Sequence, residues 1–112
     1  MALPKINRIK KQKDFKLIFE KAKSFKNTLL ILKVAKNDLN INRFGFVVSQ
    51  KVSKKATIRN KIRRRLSEAV KNQGDKIKNS TDLVLIGLPG IEKKNFHEVQ
   101  EAVANLIKKA NV

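Results

Sequence analysis

Residues 51–65, KVSKKATIRNKIRRR, hold eight basic side chains and no acidic one, and four of the six arginines lie between Arg59 and Arg65. The chemistry this suits is phosphate recognition. Lysine, abundant throughout the chain, suffices for a diffuse positive field, whereas arginine adds a planar fork that grips phosphate oxygens in pairs and stacks on bases. A run of charge is usually just a solvated face; the absence of acids and the concentration of scarce arginine argue otherwise here. Hydrolytic chemistry is poorly served. A protein nuclease needs clustered carboxylates for metal ions, or a histidine pair. The nine acids are scattered singly, His97 is the only histidine, and there is no cysteine. His97, beside Phe96 at a helix start, reads as a surface or capping residue. Gly45, Gly74, Gly87 and Gly90 are isolated, so no glycine-rich phosphate loop is present. The expectation is a polypeptide with no catalytic and no metal-binding residues of its own.

The elements that must position this run follow from hydrophobic periodicity. Ile58, Ile62, Leu66, Ala69 and Val70 make one helical stripe from Thr57 to near Gly74. Arg59, Arg63 and Arg64 point away from that stripe, Asn60 lies between them, and Lys61 and Arg65 flank the other side. Such a helix packs on a sheet and presents guanidinium groups outward, while its start, near Thr57, adds backbone N–H groups and a positive dipole end. Ahead of it, Thr28–Ala35 and Arg43–Ser49 read as strands, separated by a turn at Asn37–Asn40, and a hairpin is the expected link. Leu83–Leu88 reads as a central buried strand stopped by Pro89-Gly90. Phe15, Ile18, Phe19 and Ala22 recur at helical spacing after a possible N-cap at Asp14. Asn95 followed by Glu98 starts a last helix that buries Phe96, Val99, Val103, Leu106, Ile107 and Ala110. Residues 1–13 read as extended and basic. The order αββαβα predicts an α+β fold, a two-layer α/β sandwich, over residues 1–112 as one domain.

Composition narrows the partner. Twenty-seven basic against nine acidic residues leave a net charge of +18, well beyond the magnitude of roughly 2–8 usual for a small domain. Such excess repels itself in the compact state and calls for a polyanion, with nucleic acid foremost. No apolar run approaches the roughly 20 residues of a membrane-spanning helix, and the start lacks a signal peptide's apolar stretch. The lack of cysteine suits a cytoplasmic location.

The combination of segments resembles the bacterial ribonuclease P protein family. Arg59-Asn60-Lys61-Ile62-Arg63-Arg64-Arg65-Leu66-Ser67-Glu68-Ala69 is similar to that family's "RNR" signature. Gly45-Phe46-Val47-Val48-Ser49-Gln50-Lys51-Val52 is similar to its G-x-S-V-S-K-K strand and turn. Arg8-Ile9-Lys10-Lys11 with Asp14, Phe15 and Phe19 matches its opening helix, and Asp82–Gly90 its later strand. Gln50, Ser53, Val47 and Lys33 depart from the pattern, Lys33 falling where an aromatic is frequent in the family's cleft.

The resemblance implies a fold like the second domain of ribosomal protein S5, with a left-handed βαβ crossover, although such crossovers are right-handed in about 98% of cases. It implies a subunit of an endoribonuclease that removes the 5′ leader of precursor tRNA, with catalysis and Mg²⁺ in the RNA subunit and no obligate protein partner or membrane. Carried over by position, Lys51, Lys54, Lys55, Arg59, Asn60, Lys61, Arg63, Arg64 and Arg65 face the catalytic RNA. Lys10, Lys11, Phe15, Phe19, Phe46 and Val48 line the leader cleft. Read from the residues alone, Phe15 and Phe19 serve equally as core or as stacking platforms, Phe25 and Phe96 read as core, and Phe44 and Phe46 point to the same side of their strand. The competing readings are a ribosomal or other general basic RNA-binding module, a stand-alone metal-dependent nuclease, and a nucleoid-type DNA binder.

Overall fold

The segment Thr81–Gly87 decides the architecture. It is apolar on both faces and buried at all but one position, so it needs a strand at each edge and cover on each side. The computed structural model describes residues 7–9, 11–73, 77 and 80–110. In chain order its elements are α1 (Gln12–Lys21), β1 (Lys23–Lys26), β2 (Leu30–Lys36), β3 (Arg43–Val47), α2 (Ala56–Asn72), β4 (Thr81–Gly87), a 3-10 turn at Ile91–Lys93 and α3 (Phe96–Ala110). The four strands form one sheet in the order β1-β2-β4-β3. Strand β4 runs antiparallel to β2, with Leu85 opposite Leu32, and parallel to β3, with Leu83 opposite Phe44. Ahead of α1, Arg8 bridges Phe44, and the Ile9 N–H donates to the Phe44 carbonyl at 2.8 Å.

The α+β class holds, with four strands where three were expected. The expected hairpin between β2 and β3 is not formed, because β4 inserts between them. The hairpin lies one strand earlier, where β1 pairs with β2. Its turn is made by Asn27, whose Oδ1 accepts the N–H groups of Leu29 and Leu30 at 3.0 and 2.9 Å. Strand β1, KSFK, has one apolar residue and mostly exposed side chains, so periodicity gave it no signal. The stretch between β2 and β3 turns as expected: the Leu39 N–H donates to Asn37 Oδ1 at 2.9 Å, and Asn40 takes the left-handed conformation its side chain tolerates.

Two cores lie on the two faces of the sheet. On one, α2 and α3 bury Ile62, Leu66, Ala69, Val70, Val99, Val103, Leu106 and Ile107 against Leu30, Leu32, Phe44, Leu83 and Leu85. On the other, α1 packs Ile18 and Phe15 against Ile9, Val84, Ala35, Val47 and Ile86. The cap of α1 is Lys11. Asp14 instead sits in the first turn, where its carboxylate meets Arg43 at 3.4 Å. The start of α3 is as expected, with Asn95 Oδ1 accepting the Glu98 N–H at 2.9 Å and Glu98 Oε1 accepting the Asn95 N–H at 3.4 Å. Helix α2 ends at Asn72, and Gly74 lies outside the described residues. No helix among the described residues is long and apolar enough to cross a membrane.

Candidate nucleic-acid interface

Strand β3 delivers the chain to a short loop before α2, and polar side chains and backbone shape that loop. Val52, 5% exposed, anchors it in the main core. Ser49 Oγ accepts the Lys51 N–H at 3.2 Å, and Ser53 Oγ accepts the Lys55 N–H at 3.2 Å. With its middle pinned, the loop leaves Lys51, Lys54 and Lys55 exposed. Helix α2 starts with Lys55 at its cap position, no side-chain cap and no acid in its first turn. Its first N–H groups therefore face outward beside lysines, an arrangement that favours an anion.

The arginines divide into two kinds. Arg59 folds back, Nη1 donating to the carbonyls of Ser53 and Lys54 at 3.0 and 2.9 Å, so it braces the loop. Arg65 reaches the Lys94 carbonyl at 2.8 Å and ties α2 to the turn before α3. Arg63 donates to Asn60 Oδ1 at 2.5 Å on the outer face. Arg64, Asn60 and Lys61 are exposed there. Among the described residues, none of the cations of 51–65 is in an ion pair. This unneutralised charge makes the surface an anion-binding face.

The second set of expected site residues does not assemble as one group. Phe15 and Phe19 lie on α1 with ring centroids 6.4 Å apart and planes tilted by 44°. Phe15 packs into the smaller core, while Phe19 is 43% exposed. Lys11 is exposed at the start of α1, and Lys10 lies outside the described residues. Phe46 and Val48 belong to the opposite face: Val48 is 4% exposed in the α2–α3 core, and Phe46 packs against that core. Successive strand residues alternate in direction, so with Phe44 buried on the α2–α3 side, Phe46 and Val48 follow it and cannot line a cleft under α1. Their places on the α1 face are taken by Val47 and Ile86, both half-buried.

Gly45 explains how α1 comes so close. A Cβ built there would lie 2.5 and 2.7 Å from two ring carbons of Phe15. Only glycine lets the ring rest on β3. At the other end of the junction, Asp82, 4% exposed, accepts Arg43 Nε at 2.9 Å, Arg43 Nη2 at 2.8 Å and Asn37 Nδ2 at 2.7 Å. Arg43 also reaches Asp14 of α1. The hydrogen bond to Asp82 raises the Arg43 pKa above its ordinary value despite partial burial, with the Asp82 and Asp14 charges adding to it. This node was not expected from the sequence, although an acid opening an apolar strand signals a buried partner.

Asp14 and Phe19 stand about 140° apart around α1. With Asp14 held by Arg43, Phe19 stands on a different side of the helix and is exposed. The basic loop begins at the end of the sheet where the parallel strands β3 and β4 finish. His97 is exposed on α3, its Nε2 2.9 Å from Glu101 Oε1. Among the described residues, no three acidic or histidine side chains gather.

A small α+β protein whose helix α2 and preceding loop present cations free of ion pairs is built as an RNA-binding protein. Residues 3–111 match the family model Ribonuclease P, and the chain belongs to that family. It is 40% identical over 109 residues to the ribonuclease P protein component of Clostridium botulinum strain 657, covering 96% of this chain and 97% of that one. It is 36% identical to the component of Alkaliphilus metalliredigens, over 92% of both chains. Among solved structures, the RNase P protein of Staphylococcus aureus superposes with a TM-score of 0.87 at 29% identity, covering 95% of this chain and 96% of that one. The RNase P protein of Thermotoga maritima gives 0.82 at 32% identity, over 91% and 96%. The protein is thus a component of a tRNA-processing, RNA-containing enzyme of bacterial type.

Proposed function

We propose that this chain binds the catalytic RNA of ribonuclease P through the loop 49–55 and the outer face of α2, and holds the 5′ leader of precursor tRNA in the groove beside α1. The observation that carries the reading is the cation cluster of residues 51–65, none of which is in an ion pair. Lys51, Lys54, Lys55, Lys61, Arg63 and Arg64 supply phosphate contacts, with Asn60 orienting Arg63. Arg59 and Arg65 act by holding the loop and the helix in place. In the groove, Phe15 and Phe19 form the stacking wall, Lys11 stands near its phosphates, and Val47 and Ile86 form the floor.

Cleavage of the leader takes place on the RNA subunit, which also holds the Mg²⁺. Among the described residues, no three acidic or histidine side chains gather to hold a metal ion, and four of the acids are already paired. Asp14 and Asp82 are held by Arg43, Glu98 pairs with Lys94, and Glu101 with His97. The protein adds substrate affinity and screens the repulsion between two polyanions. Cleavage of a precursor tRNA at low Mg²⁺ tests this, comparing protein alone, a bacterial ribonuclease P RNA alone, and the two together. Strong cleavage only in the mixture is expected. Cleavage by the protein alone would relocate the chemistry to the polypeptide, and no rescue by protein that binds the RNA would reduce the chain to a general RNA-binding module.

A further inference from the structure

Acids are scarce in this chain, nine against twenty-seven basic residues, yet two of them wall one open cleft of about 530 Å³ between α3 and the β1–β2 turn. From the turn before α3 the wall runs Lys94, Glu98, Glu101 and Asn105, spaced to share one side of the helix, while Leu29 and Ala102 give it apolar surface. Asn27 fixes the shape. Its Oδ1 accepts the N–H groups of Leu29 and Leu30, and its Nδ2 donates to the Ala102 carbonyl at 3.1 Å and to Asn105 Oδ1 at 3.4 Å. The last bond orients the Asn105 amide, whose N–H donors, like the Thr28 hydroxyl in the same wall, have no partner among the described residues. Glu98 is committed: Oε1 accepts the Asn95 N–H, and Oε2 lies 3.7 Å from Lys94. Glu101 meets His97 through Oε1 and keeps Oε2 open.

A carboxylate repels the phosphates of a bound strand, so an acid-walled cleft on a protein of +18 admits a base and not the backbone. Guanine offers adjacent N–H donors on its Watson–Crick edge, which match the two oxygens of one carboxylate, and its O6 and N7 accept from an amide or an ammonium. Each carboxylate oxygen takes more than one donor, so His97 does not close the site. We propose that the cleft binds one unpaired guanine of the catalytic RNA. Glu101 accepts its N1–H and N2–H, Asn105 donates to its O6, and Leu29 and Ala102 pack against its plane. The source is the catalytic RNA because Arg65 of α2 donates to the carbonyl of Lys94 in the cleft wall, which ties the cleft to the helix read above as that RNA's contact. The proposal rests on that reading. Its consequence is a division of labour between helices: α2 grips phosphate whatever the sequence, and α3 selects one base.

The test measures binding of this chain to a bacterial ribonuclease P RNA and maps the complex with a glyoxal reagent that modifies the N1–N2 edge of unpaired guanines. The sign of the effect is informative. Removing an exposed acid from a protein that binds a polyanion tightens binding by charge alone, and Asp38→Asn, at the exposed turn between β2 and β3, is the control for that. Glu101→Gln is expected instead to weaken binding by about tenfold and to expose one guanine that the unaltered protein protects, with the other protections unchanged. Asn105→Ala exposes the same guanine. Thermal midpoints equal to that of the unaltered protein show that the fold is not the cause. If no guanine depends on Glu101 for its protection, or if Glu101→Gln binds as tightly as Asp38→Asn, the proposal is overturned and the RNA-binding reading stands. If the unaltered protein does not bind the RNA, that reading fails and takes the proposal with it.

Discussion

The arginine face of α2 and the face of the sheet that α1 covers are built on opposite principles. The first is polar, largely exposed and free of counter-charge, and its geometry comes from side chains folding back on their own loop, as Arg59 does. The second is held by close packing, with Phe15 seated on Gly45 and a buried carboxylate clamping α1 through Arg43. A charged face tolerates imprecision, because Coulomb attraction to a polyanion falls off slowly. A stacking groove does not, since ring and base must meet within van der Waals distance. The difference teaches where each surface is fragile: the first to salt and charge removal, the second to changes in packing.

The largest effect should come from Arg43→Ala. It leaves the buried Asp82 carboxylate without its bidentate partner, and breaking such a pair costs about 3–5 kcal/mol. Denaturant unfolding should show that loss, with the groove opening first because α1 also loses its tie through Asp14. Gly45→Ala should cost about 1–3 kcal/mol, since the Phe15 ring must move to admit the methyl group. Leader affinity should drop while binding of the catalytic RNA persists; equal loss of both would break the distinction between the two surfaces. Replacing Arg63 and Arg64 together by alanine should leave stability nearly unchanged, weaken binding of the catalytic RNA and lower its salt slope by about 1–2 units, as expected for one or two lost phosphate contacts. A salt titration as steep as that of the unaltered protein would remove the phosphate role of this face. His97→Ala, which removes only an exposed pair with Glu101, should change stability by less than about 0.5 kcal/mol and touch neither RNA. The free protein, carrying +18, should also melt higher in sulfate or phosphate than in chloride of equal ionic strength.

The charged face was legible residue by residue because charge and helical period are both local properties. Ile62, Leu66, Ala69 and Val70 turn inward as their spacing requires, which fixes Arg63 and Arg64 outward. The groove was legible only in part. Phe15 and Phe19 could be found from their spacing on α1, but Phe46 and Val48 were drawn to the wrong face, although alternation from Phe44 already opposed them. Strand order was the missing information: β2 and β3 are close in sequence, yet β4, far along the chain, separates them, and no local pattern encodes a non-local pairing. The turn at Asn37 was visible as a turn, while its second role, donating to Asp82, depends on tertiary contact.

The most direct test of the two-surface account measures two affinities for two variants. Arg63→Ala/Arg64→Ala and Phe19→Ala are each compared with the unaltered protein for binding to the catalytic RNA and, in the reconstituted enzyme, for the preference for leader-bearing over mature tRNA. The account predicts that the arginine pair loses the first and keeps the second, and that Phe19→Ala keeps the first and loses the second by about 1–3 kcal/mol, the contribution of one stacked base. Both variants losing both affinities in equal proportion would contradict it.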